Sequence, residues 1–145
     1  DLHPATWVDG VRKMESMAAL LKESDVLSIH VPLNPQTRHL IGKAELDLMP
    51  AGAVLVNTAR GDILDEQALL EALESGRLSG AALDVLSNER SEALSGSPLI
   101  DDARRRTNLI LTPHIGWATF ESMAATEVFM AEKLVRYLKT LEQSR

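Results

Sequence analysis

The chain has 145 residues, 45% of them apolar, with no cysteine and a formal net charge of -6. That length and apolar content suit one globular domain with a real core and exclude a disordered chain. The acidic balance argues against nucleic acid or an anionic membrane as the main partner, and the absence of cysteine excludes disulfides and thiolate chemistry. Aromatics make up only 3%, so the core must be built from Leu, Val, Ile, Ala and Met. No apolar stretch approaches the ~20 residues of a membrane span. No signal-peptide pattern opens the chain, and a cytoplasmic location is the expectation. The first residue is Asp rather than Met, so a piece of a longer protein is expected.

In chain order, Met14, Met17, Ala18 and Leu21 recur at helical spacing and predict a helix from Met14 to Glu23. Val26 to Val31 reads as a strand stopped by Pro32, and Asn34-Pro35-Gln36-Thr37 reads as a turn. Lys43 to Met49 predicts a short helix, closed by Pro50-Ala51-Gly52. Ala53 to Asn57 is a continuous apolar strand, of the kind buried on both faces of a parallel sheet. Asp65 is a good helix N-cap, Glu66 suits the first turn, and Leu69, Leu70, Ala72 and Leu73 form a buried face before Gly76 ends the helix. Leu78 to Val85 is the third predicted strand. Ser87 to Asp101 reads as a polar loop with a Ser-Gly-Ser-Pro turn, and Leu109-Ile110-Leu111 is the fourth strand. From Thr119 to about Leu141, Phe120, Met123, Ala124, Ala131, Leu134, Val135 and Leu138 fall on one face of a long helix.

Helices alternating with apolar strands imply an α/β fold with a parallel sheet and right-handed crossovers. Four strands make a Rossmann-type half, because a complete dinucleotide-binding domain has about six, built from two halves. No G-x-G-x-x-G occurs in the chain, so this is expected to be the second half, without the Gly-rich loop. Arg60, Glu89 and His114 each lie just past a predicted strand, at the sheet edge where ligands bind in open α/β folds. An Arg can clamp an anion, and a His beside a carboxylate is a tuned base.

Four ordered blocks carry a resemblance. They are Ser24 to Leu33, Asn57-Thr58-Ala59-Arg60-Gly61 with Asp65-Glu66, Gly80 to Val85, and Thr112-Pro113-His114-Ile115-Gly116. Together they make the chain, from about Ser24 to Lys139, resemble the NAD-dependent D-2-hydroxyacid dehydrogenase family. The resemblance implies a partial NAD-binding domain over residues 1–145, lacking the Gly-rich half and the substrate domain. It implies an oxidoreductase that moves a hydride between NAD(H) and a small 2-hydroxy or 2-keto acid, working as a homodimer at full length. It gives His114 the role of general acid/base, Glu89 that of its carboxylate partner and Arg60 that of the substrate-carboxylate clamp. Asp84 would bind the nicotinamide amide, with Thr58, Ala59, Arg60, His114 and Gly116 around the same ring. His30, Val31, Pro32 and Thr37 would border the adenosine side, and Asp1 would bind its ribose hydroxyls. No metal is implied. Arg90 stands where many relatives have Pro after the Glu, and Trp117 takes a place that is often small. His3, His39 and Arg104-Arg105-Arg106 read as solvated surface. Two alternatives stay open: an NAD(H)-sensing, corepressor-like binding protein, and an inactive fragment.

Overall fold

Four short strands form one parallel sheet in the computed structural model, which describes residues 10–89, 97–116 and 118–143. The strands are β1 (Val26–Ile29), β2 (Ala53–Asn57), β3 (Leu78–Leu83) and β4 (Leu109–Leu111), and they lie side by side in that order. Helix α1 (Met17–Glu23) precedes β1; α2 (Lys43–Leu48), α3 (Glu66–Glu74) and α4 (Pro98–Ala103) fill the crossovers; α5 (Phe120–Gln143) follows β4. The expected α/β, parallel, Rossmann-type half is therefore what the chain forms.

Local chemistry sets the helix ends. The Ser16 hydroxyl accepts from the Ala19 N–H at 3.1 Å, so α1 begins at Met17, one turn later than the apolar spacing predicts. The Asp65 carboxylate accepts from Gln67 and Ala68 and starts α3 as expected. Gly76, at φ +73, lets the chain turn away after α3, where a side chain would be strained. The predicted loop from Ser87 to Asp101 needs correcting, because α4 occupies its end. Pro98 supplies a preset φ at the first helical position, and Leu99 is fully buried beneath it.

The core is a single layer. Leu21 of α1, Leu46 of α2, Leu69 and Leu73 of α3 and Leu99 of α4 share one cluster with Leu27, Ile29, Leu55, Ala81, Leu83 and Leu109 of the sheet. Burying each Leu fully contributes ~1.5–3 kcal/mol. The expectation that β2 is covered on both faces holds for one face only. Ala53, Leu55 and Asn57 are buried, Val54 and Val56 are half-buried, and Val26 and Ile110 on the same side are each 61% exposed. The apolar face predicted for α5 likewise forms without being covered. Phe120, Met123, Leu134 and Val135 are exposed, because no other described element packs over them.

The register brings the site together. Ile29, Asn57, Leu83 and Leu111 pair in one row across the sheet. The next residue of each strand, His30, Thr58, Asp84 and Thr112, therefore lies on one carboxyl edge.

Candidate active site

Two loops at this edge are held by buried side chains at strand ends. Asn57 is fully buried; its Oδ1 accepts from the Ala59 N–H at 3.0 Å and its Nδ2 donates to the Arg60 carbonyl at 2.9 Å. This amide ties the chain into a tight turn and presents Arg60, whose side chain is exposed. Asp84, at the end of β3, holds the loop that leaves the neighbouring strand β4. Only 6% exposed, its carboxylate accepts from the Thr112 hydroxyl, from the Ile115 N–H at 2.9 Å and from the Gly116 N–H at 2.7 Å. Burial pushes the Asp84 carboxyl up. The hydrogen bonds from Thr112, Gly116 and Ile115, with the charge of His114, outweigh that and hold it below the usual carboxylate range. Gly116 is required here, since a Cβ would lie 2.8 Å from Asp84 Oδ2.

His114 stands between these anchored groups in the left-handed region, at φ 56. This conformation is uncommon for a non-glycine residue, although His adopts it more readily than most. Its Nδ1 lies 2.7 Å from Glu89 Oε2, and Glu89 Oε1 accepts from the Leu86 N–H at 2.5 Å. An ionised carboxylate only accepts, so the ring proton sits on Nδ1. That leaves Nε2 as the atom that takes or gives a proton.

Arg60 and His114 are shared by two adjoining cavities. One, of about 400 Å³, is also lined by Leu33, Gly61, Asp62, Leu86, Asn88 and Glu89. The other, of about 610 Å³, is also lined by Thr58, Asp84, Gly116 and Ser122. A third, apolar cavity of about 520 Å³ contains His30 and Val31 with Met17, Leu20 and Leu21. Of the expected residues, Arg60, Glu89 and His114 line one cavity together. Thr37 is engaged locally, its hydroxyl donating to the Pro32 carbonyl at 2.7 Å and closing that turn. The His30 ring meets the Ser28 hydroxyl at 2.8 Å. Asp1, His3, Arg90 and Trp117 lie outside the described residues. The Arg104 to Arg106 run is less solvated than expected at one point, since half-buried Arg106 donates to Asp102 at 2.6 Å. Leu33, which lines the first cavity, Asn57, which holds the Arg60 turn, and Glu66, which accepts from the Ser87 N–H, are not among the site residues that the sequence points to. For Asn57, the signal available was a polar residue closing an otherwise apolar strand.

The parallel sheet thus presents a carboxylate-paired His and an Arg on one cleft at its carboxyl edge. The profile of the D-isomer specific 2-hydroxyacid dehydrogenase NAD-binding domain matches residues 3–116, and the chain belongs to that family. It is 40% identical over 147 residues to a D-specific alpha-keto acid dehydrogenase of Enterococcus faecalis, covering 94% of this chain and 44% of that protein. It is 42% identical over 127 residues to a glycerate dehydrogenase of Methylorubrum extorquens, covering 88% of this chain and 37% of the relative. Among solved structures, it resembles the NAD-complexed D-isomer specific 2-hydroxyacid dehydrogenase of Lactobacillus delbrueckii ssp. bulgaricus. The TM-score is 0.71 at 30% identity, over 86% of this chain and 40% of that one. The chain thus spans less than half the length of these relatives.

Proposed function

We propose that the whole protein is an NAD-dependent dehydrogenase of D-2-hydroxy acids, and that residues 1–145 are the second half of its cofactor domain. The observation that carries this reading is the His114 Nδ1–Glu89 Oε2 pair at 2.7 Å in a cleft that Arg60 also lines. Arg60 clamps the substrate carboxylate with its planar fork, which also orients the adjacent carbon. His114 Nε2 takes the hydroxyl proton during oxidation and returns it during reduction. Glu89 stabilises the imidazolium so formed and fixes the tautomer.

The donor set at the neighbouring cavity fits the nicotinamide end of NAD. Asp84 accepts three hydrogen bonds, and a carboxylate has about four lone-pair sites, so one acceptor position remains for an amide N–H. Thr58, Ala59 and Gly116 border the ring mainly through backbone, and His30, Val31, Pro32 and Thr37 border the adenosine side. Asp1 is proposed for its ribose. When bound, NAD accepts or supplies the hydride. The 145 residues hold no G-x-G-x-x-G, and we assign no pyrophosphate contact to them. From the family we further propose a cytoplasmic homodimer acting on a small 2-keto or 2-hydroxy acid.

The test is NADH oxidation by the whole protein with a panel of 2-keto acids. Turnover supports the enzyme. NADH binding without turnover of any member supports the sensing alternative.

A further inference from the structure

We infer that Glu66 is a positioning residue for this reaction, fixing the segment Leu86–Glu89 against the Arg60 loop and so holding Glu89 on His114. The inference rests on the roles just proposed for Glu89 and His114.

Glu66 opens α3 and lines neither cavity that contains Arg60 and His114. Its Oε1 accepts the Ser87 N–H at 2.6 Å. Burial pushes its carboxyl up, the N–H and hydroxyl of Ser87 pull it down, and Asp62 and Asp65 push it up again, leaving it raised. A second contact acts on the same segment. At Gly61, directly after Arg60, a Cβ would lie 2.0 Å from the Leu86 carbonyl carbon and 2.3 Å from the Ser87 nitrogen. The backbone leaving Arg60 and the backbone leading to Glu89 are therefore packed face to face. Beyond this clasp, Asn88 turns through φ 58, and Glu89 reaches back to the Leu86 N–H and across to His114. One continuous run of contacts joins Glu66 to His114 through Ser87, Leu86 and Glu89.

Reach and charge can be separated. A first-turn carboxylate also favours the helix N-terminus, and Asp would serve that as well as Glu does. Asp is one methylene shorter and loses Ser87. Gln keeps the reach and the acceptor oxygen and loses the charge.

The experiment measures kcat, and KM for a 2-keto acid, in the whole protein. Glu66→Asp and Glu66→Ala should lower kcat about tenfold with KM nearly unchanged, a fraction of the ~10²–10⁴-fold that acid–base catalysis supplies. Glu66→Gln should stay within about threefold of wild type. In a Glu89→Gln background Glu66→Asp should cause no further loss, since the two act through one pair. Amide exchange at Ser87 gives a reading independent of turnover, and it should quicken in Glu66→Asp but not in Glu66→Gln. Wild-type kcat in Glu66→Asp, penalties that multiply with Glu89→Gln, or unchanged exchange at Ser87 would overturn the inference. Full turnover by His114→Asn would instead remove the underlying reading, and the positioning role with it.

Discussion

Asp84→Ala is predicted to loosen the loop that carries His114 before it disturbs the sheet. The carboxylate takes three donors while only 6% exposed, and two of them are backbone N–H groups of the loop. Hydrogen bonds to a charged group contribute ~1.5–3 kcal/mol each, but Thr112, Ile115 and Gly116 are exposed and would regain water. The net loss should therefore be about 2–4 kcal/mol, toward the upper end of what single substitutions cost. Asp84 also sets an acid limb. Its folded pKa is depressed, so its stabilisation is complete above the unfolded value near 3.9 and is lost as pH falls through the folded value. Urea unfolding of the chain between about pH 3 and pH 7 should show this slope in wild type and a flatter one in Asp84→Asn. Equal stability of Asp84→Ala and wild type at pH 7 would refute the assigned role of the carboxylate.

Arg60→Lys should raise KM for the keto acid sharply while charge is kept, because an ammonium offers no bidentate fork; steady-state kinetics check it. Gly61→Ala should cost ~1–3 kcal/mol or more and depress kcat, since the added methyl meets backbone rather than a yielding side chain. For Glu66 the sign is opposite to Asp84. Its raised pKa means a contribution complete below the unfolded value near 4.3 and lost as pH rises through the folded value, so Glu66→Gln should not destabilise the chain at pH 7; thermal melts at two pH values decide. The 145 residues alone should bind NADH weakly and self-associate, because Val26, Ile110 and the apolar face of α5 stand open; calorimetry and light scattering test both.

Much of this site was legible because strand ends are. An apolar run closed by Asn57, Asp84 or Thr112 predicts both the sheet and the edge on which its loops converge, and a parallel register then aligns those ends. Helix α4 is hidden in the sequence because it has only six residues, two of them acids, and opens on Pro98, so no periodicity can accumulate. The single covered face of β2 was misread because an apolar strand looks the same whether one face or both are packed. The hold of Glu66 on Ser87 joins the start of α3 to the segment after β3, 21 residues along the chain, and no local sequence pattern reports such a contact.

The central claim is that His114 Nε2 moves the proton, held by Glu89. Single-turnover reduction of a 2-keto acid by NADH, followed in the whole protein with His114→Asn, tests it most directly. The account predicts a rate lower by ~10²–10⁴-fold with NADH affinity nearly unchanged. A wild-type rate in that variant would contradict it.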